Sequence, residues 1–254
     1  MRRIIAFMII SILFLTGCTS QEDSGETVLL VAAASSLSDT LSELKQEFES
    51  EHPDTTLELN YGASGKLSQQ ISQGAPVDVF LSADQEWMDQ LADEDVIAAD
   101  TRTDFIQNRL VVISTQNTSF SINELDDLPT LNTDQITIGD PESVPAGKYA
   151  EQALRNLNIW EEAKEKFVYT GSAQQTLTYV ESGNTEVGIV YASDLERSGL
   201  VSELLTIDDN LHDPIEYPAA VIKSSQATEK ANAFIQFLQT DDAQAIFEKY
   251  GFST

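Results

Sequence analysis

An α/β fold with largely parallel sheets is predicted by one observation, and the number of domains is bounded by a second. Short apolar runs of strand length alternate with segments of helical period along most of the chain. About 230 residues remain once an exported leader and a polar tether are set aside, enough for one large or two small domains with sizeable cores. The chain has no internal repeat and no low-complexity segment beyond the tether.

The elements follow in order. Val28-Leu29-Leu30-Val31 reads as a strand and leads into Leu37, Leu41, Leu44 and Phe48, a helical face that stops at His52-Pro53. Thr56 to Asn60 alternates as a strand, and Leu67 with Ile71 marks a short helix. Val77 to Leu81 reads as a buried strand, followed by Trp87, Met88 and Leu91 on another helix. Further strands are predicted at Leu110–Ser114, Ile136–Ile138, Val187–Tyr191 and Ala219–Ile222, with helices over 146–157, 173–182, 228–239 and 241–249. Ligands of open α/β sheets gather where strand C-termini meet helix N-termini, so those junctions are the places to look for chemistry.

The first residues carry an address. Arg2 and Arg3 precede an apolar run from Ile4 to Leu15, broken only by Ser11 and too short to span a bilayer. Leu15-Thr16-Gly17-Cys18 then resembles a lipobox, which implies cleavage before Cys18 and lipidation of that cysteine. Residues 1–17 are accordingly expected to be a lipoprotein signal peptide, and 18–26 the lipidated cysteine with a flexible tether. Because Cys18 is the only cysteine, no disulfide is available and the fold must stand on packing alone. No other apolar run approaches the length of a membrane helix, so the membrane is met through the lipid anchor only.

A formal net charge of -28 argues against nucleic acid, whose binding needs a basic footprint. The acids are scattered rather than gathered into a tail. A solvated acidic surface and adaptation to salty surroundings both fit, and composition does not separate them.

Four junctions carry small residues and hydroxyls: Ala33-Ala34-Ser35-Ser36-Leu37, Tyr61-Gly62-Ala63-Ser64-Gly65-Lys66-Leu67, Gly139 to Lys148, and Gly171-Ser172-Ala173-Gln174. Ser36 with Asp39 also fits a capping box. Converging helix N-termini offer unpaired amides and partial positive charge, an anion site that needs no cation. Hydroxyls of Ser36, Ser64 and a tyrosine would complete such a shell. Gly65-Lys66 is not a phosphate loop, since only two residues separate Gly62 from Gly65 and Leu67 follows the lysine. Lys66 reads as a solvated lysine at a helix start.

Catalytic constellations are poor. His52 beside a proline and His212 in an acidic loop, the only histidines, read as surface residues. There is no Gly-x-Ser-x-Gly elbow and no His/Cys cluster of zinc type. Asp78, Asp84 and Asp140 read as helix caps or loop anchors. An enzyme is not expected.

At the same junctions the chain resembles the substrate-binding proteins of molybdate ABC transporters (ModA type), over essentially the whole mature domain. The residues that carry the resemblance are Ala33-Ala34-Ser35-Ser36-Leu37, the Gly74-Ala75-Pro76-Val77-Asp78-Val79-Phe80-Leu81-Ser82-Ala83-Asp84 run, Gly139-Asp140-Pro141-Glu142 with Val144-Pro145-Ala146-Gly147, Gly188-Ile189-Val190-Tyr191, and the closing Ile246-Phe247 to Tyr250-Gly251-Phe252. The resemblance implies a bilobal periplasmic-binding-protein (venus-flytrap) fold of two α/β lobes joined by two hinge crossovers, near Asn108–Leu110 and Glu216–Pro218. Lobe I would comprise 27–108 plus 218–254, and lobe II 109–217. It also implies a tetrahedral oxyanion, molybdate or tungstate, held by neutral donors with no direct metal-ion ligand. Those donors would be the hydroxyl and amide of Ser36, the same groups of Ser64, the amides of Ala146 and Ala173, and the phenol of Tyr191. The implied protein is an extracytoplasmic, lipid-anchored monomer without a cofactor, which hands its ligand to an ABC transporter permease.

Departures from the family pattern bear on the site. Ser35 precedes Ser36 where the family's first loop commonly reads Ala-Ala-Ala-Ser-Leu; counting from Leu37 favours Ser36, with Ser35 the rival. Ala63 stands where a serine is frequent, and Ala173-Gln174 replaces a common Val-Arg pair. The donor there is a backbone amide, so the ligand role survives while a neighbouring charge is lost. Lys148 replaces an apolar residue and is expected near the cleft mouth. The alternative receptors are one for sulfate or another small tetrahedral anion, and a lipid-anchored oxyanion sensor.

Overall fold

The computed structural model describes residues 27–116 and 121–254. The expected signal peptide, Cys18 and tether lie outside the described residues. Two five-stranded sheets, each with helices packed on it, form two lobes.

The first lobe opens with β1 (Thr27–Ala34), a short 3-10 turn and α1 (Ser38–Glu51). α1 ends because His52 precedes Pro53, a position that disfavours helical backbone; the His52 N–H closes the last turn on the Phe48 carbonyl. β2 (Thr55–Gly62), α2 (Ser64–Ser72), β3 (Val79–Leu81), α3 (Gln85–Asp93) and β4 (Thr103–Asn108) follow. The chain then crosses into the second lobe: β5 (Leu110–Thr115), β6 (Ile136–Gly139), α4 (Pro145–Asn156), α5 (Trp160–Ala163), β7 (Phe167–Thr170), α6 (Ala173–Glu181), β8 (Val187–Tyr191), α7 (Ala192–Glu196) and β9 (Val201–Thr206). It returns through β10 (Ile215–Val221) and closes the first lobe with α8 (Thr228–Phe237) and α9 (Asp241–Lys249).

The strand orders are β2-β1-β3-β10-β4 and β7-β6-β8-β5-β9. Each sheet is mixed rather than largely parallel. β1 pairs in parallel with β2 and β3, and β6 with β7 and β8, whereas β10 and β5 pair antiparallel with both of their neighbours. The antiparallel strands are those next to the crossings, where the chain enters a sheet from the other lobe. β10 joins the first sheet from Ile215, which pairs with Asn108. The strand runs through Pro218 because the register shifts there, and a bulge tolerates a residue without an N–H.

Strand alternation sorts the side chains between clusters. Val31 and Ala33, Val79 and Leu81, and Ile189 and Tyr191 join the largest buried cluster, which runs through both lobes. Ala32 and Phe80 point the opposite way, onto Leu67, Met88 and Leu91 of α2 and α3; Val190 likewise meets Leu177 and Val180 of α6. Phe48 of α1 is fully buried and packs against Phe234 and Phe237 of α8, with ring centroids 5.1 and 5.4 Å away. Burial of such a ring contributes about 1.5–3 kcal/mol. One side-chain placement departs from the sequence reading: His212 is buried, with its ring 5.8 Å from that of Tyr149 and its Nδ1 2.7 Å from the Asp213 carbonyl oxygen. Among the described residues no helix is long and apolar enough to cross a membrane.

Candidate functional site

The five residues singled out as donors come from five separate segments and line one small cavity between the lobes. Its walls are Ala34, Ser35, Ser36, Gly62, Ala63, Ser64 and Ala83 from the first lobe and Val144, Pro145, Ala146, Ala173 and Tyr191 from the second. The cavity is small, with about 190 Å³ of space between the lining atoms, part of it open to solvent. No lining residue carries a formal charge.

Local structure decides what each residue offers. Ser64 opens α2, and its Oγ accepts the Ala83 N–H at 3.0 Å, which leaves the hydroxyl proton for the cavity. Pro145 opens α4 and has no N–H, so the Ala146 amide is the first donor of that helix. Ala173 opens α6 behind Ser172, whose side chain accepts the Gln175 N–H; the Ala173 amide has no intrahelical carbonyl to meet. Tyr191 ends β8, and its ring lies 6.1 Å from that of Tyr217 in the first lobe. Its hydroxyl is buried and has no hydrogen-bond partner among the described residues. Burial pushes this phenol well above the usual tyrosine range, so it remains a donor. An orphaned donor at full burial is costly, and an acceptor placed in the cavity would relieve it.

Ser36 does not cap a helix. The first turn of α1 has no side-chain cap; the Ser36 Oγ lies 3.0 Å from the Tyr217 hydroxyl, while Asp39 takes the Arg197 guanidinium at 2.6 Å. Ser35 lines the cavity as well, and also a larger, more open recess of about 680 Å³ that shares Gly62 and Ala63 and reaches Lys66, Gln70 and Gln174. The three aspartates at the junctions are structural. Asp84 caps α3 through the Glu86 N–H, Asp78 accepts the Leu30 N–H, and Asp140 accepts the Glu142 N–H.

Direct contacts hold the lobes together around the cavity. The Gly65 N–H of α2 donates to the Ser143 carbonyl at 3.2 Å. Lys148 of α4 reaches Asp84 at 2.8 Å and Glu86 at 2.5 Å. Arg197, just after α7, donates to Asp39 and, at 3.2 Å, to Ser38, and pairs at 3.3 Å with Asp194 in its own lobe. Burial raises the carboxyl of Asp84 despite Lys148, and lifts Asp194 to about 6 despite Arg197. Sequence reasoning missed Asn108, Arg197 and Tyr217. They sit at the crossings or after α7, and Asn108 and Tyr217 meet across 109 positions of chain, beyond any local pattern. Among the described residues no group of His, Cys, Asp or Glu is placed to hold a metal ion.

Two α/β lobes closed on a cavity of neutral donors define a solute-binding protein. The model of the bacterial extracellular solute-binding protein family matches residues 29–253, and the chain belongs to that family. It is therefore a binding protein rather than an enzyme, and works outside the cytoplasm. It is 36% identical over 249 residues (95% of this chain, 94% of the relative) to a protein of Bacillus subtilis (strain 168) provisionally named an ABC transporter substrate-binding lipoprotein. It is 35% identical over 233 residues, 90% of either chain, to the molybdate-binding protein ModA of Escherichia coli (strain K12). The solved periplasmic molybdate-binding protein of Azotobacter vinelandii shares the fold, with a TM-score of 0.80 at 24% identity, covering 89% of this chain and 99% of that one.

Proposed function

We propose that the protein is a monomeric, lipid-anchored receptor that closes on molybdate or tungstate and delivers it to an ABC transporter permease. The observation that carries this reading is the buried, unpartnered Tyr191 hydroxyl on a small uncharged cavity that Ser36, Ser64 and two helix-opening amides also line. A dianion with four acceptor oxygens suits such a shell, and the helix termini supply the positive potential that the walls lack. The name of the Escherichia coli relative supports molybdate as the ligand, and that of the Bacillus relative supports the lipid at Cys18. Ser36 rather than Ser35 is the ligand of the first loop, since Ser36 is anchored by Tyr217 and Ser35 also borders the open recess.

Sulfate carries the same charge and would meet the same donors, so cavity size sets the preference for the larger anions. Monohydrogen phosphate is disfavoured because a shell of donors offers nothing to accept its proton. Calorimetry on the full chain in detergent, with molybdate, tungstate, sulfate and phosphate in turn, tests the reading. Tight molybdate and tungstate binding with weak sulfate is expected. Equal sulfate binding would transfer the substrate to a sulfate receptor, and silence for all four anions would remove the site. Ser36→Ala, Ser64→Ala and Tyr191→Phe are each expected to weaken molybdate binding by about 1–3 kcal/mol, a lost hydrogen bond to a charged group. Unchanged affinity in all three would sink the assignment.

The acidic surface bears on capture rather than on affinity. Repulsion of an anion by a chain of net charge -28 acts over about 10 Å and is screened by salt. Stopped-flow association of molybdate should therefore speed up from low to physiological salt; a rate that falls would place a local positive field, not net charge, in control.

A further inference from the structure

We propose that Asn108 and Tyr217 are positioning residues that fix the direction of the Ser36 proton and make that hydroxyl an obligate donor to the bound anion. The inference rests on the oxyanion reading above. Asn108 ends β4 at the first crossing, Tyr217 lies on β10 after the second, and both are buried, as are Ser36 and Ser193.

Hydrogen-bond chemistry gives the chain a direction. The Asn108 Oδ1 accepts the Arg109 N–H at 2.9 Å and faces the Ser193 N–H at 3.5 Å. Backbone amides only donate, so the side-chain amide cannot be turned over. Its Nδ2 therefore points the other way, donating to the Ser193 Oγ at 2.8 Å and to the Tyr217 hydroxyl at 3.2 Å. A phenol oxygen that receives this bond keeps one proton to give, and the Ser36 Oγ lies 3.0 Å away to take it. The neighbouring Tyr191 offers Tyr217 a ring at 6.1 Å between centroids, while its own hydroxyl bonds to neither. Ser36 thus accepts from Tyr217, and its own proton is left for the cavity. With Ser64 already accepting from Ala83, Ser36 and Ser64 are both locked as donors, and neither offers an acceptor to an anion oxygen that carries a proton.

The polarity of this relay can be reversed. In Asn108→Asp a carboxylate oxygen takes the place of the donor, so Tyr217 gives its proton to Asp, accepts that of Ser36, and leaves Ser36 to present a lone pair to the anion. Calorimetry with sodium molybdate and sodium phosphate on the full chain in detergent should show molybdate Kd rising at least about tenfold in this variant. Tyr217→Phe keeps the ring and severs the relay. Ser36 can then rotate, so molybdate Kd should rise only a few-fold, while the ratio of phosphate to molybdate Kd narrows by about tenfold. The double variant Asn108→Asp/Tyr217→Phe should recover to within a few-fold of Tyr217→Phe alone, a rescue that mere loss of packing would not produce. Wild-type affinity in Asn108→Asp, or a double variant no better than Asn108→Asp, would overturn the inference. If Asn108→Asp fails to fold, the Tyr217→Phe ratio decides, and an unchanged ratio overturns it. Failure of the wild type to bind any tetrahedral anion would remove the oxyanion reading itself, and shows before any variant is made.

Discussion

Gly147→Ala is expected to destabilise the fold by about 3 kcal/mol or more and to abolish tight anion binding. Gly147 lies inside α4, where alanine would ordinarily gain about 1 kcal/mol over glycine through helix propensity. Here a Cβ would stand 2.0 Å from the Gly139 carbonyl oxygen and 2.5 Å from its carbon, both backbone atoms of β6 that cannot rotate away. Repulsion at that distance far exceeds the propensity gain, so the sign reverses. α4 would have to lift from β6, and the Ala146 amide, one residue earlier, would move with it. Denaturant midpoints and molybdate titration of the variant check this. Unchanged stability would mean that α4 does not dock on β6 as closely as described.

Arg197→Ala has the second large effect, and its size depends on pH. Arg197 ties the lobes through Asp39 and Ser38 and faces the fully buried carboxyl of Asp194, which also accepts the Tyr191 N–H at 3.2 Å. Removing one partner of a buried pair costs about 3–5 kcal/mol when the other stays charged. Asp194 has an escape, since burial already raises it from 3.8 to about 6 with the guanidinium opposing the rise. A folded-state value above the unfolded one means that the native protein binds this proton more tightly. The contribution of Asp194 to stability is therefore greatest in acid, falls as pH rises through that window, and is gone above it. Without Arg197 the carboxyl rises further and the window widens. The stability difference between wild type and variant should be largest near about pH 7.5 and shrink toward about pH 5. Carboxylates that do not touch Arg197 are common to both proteins and cancel in the comparison. Denaturant unfolding at the two pH values tests this, and an equal difference at both would show that Asp194 does not carry the cost.

Much of this architecture was legible because its signals are local. β8 runs from Val187 to Tyr191, as its continuous apolar run predicts, and α9 spans the residues whose period predicts it. β4, β7 and β9 carry no strand signal of this kind. β7 and β9 carry mostly exposed or half-buried side chains, and β4 has only Phe105 and Ile106 as apolar residues among polar neighbours, so none shows a buried apolar run of strand length. The loops of the site were legible for the same local reason: small residues and hydroxyls before a helix mark exposed amides, and Pro145 marks the first turn of α4.

What the sequence determined by itself was the alternation of strands and helices, the supply of neutral donors at their junctions, the absence of a disulfide and the acidic surface. These follow from residue identity and short-range spacing. Only the tertiary structure decided strand direction, because that depends on which end of a sheet the chain enters after crossing between lobes. It alone turned Ser36 from a possible helix cap into the partner of Tyr217, buried His212, and set Arg197 between Asp39 and Asp194. Each of these rests on contacts between residues far apart in the chain, and local periodicity carries no information about which distant partner a polar side chain will meet.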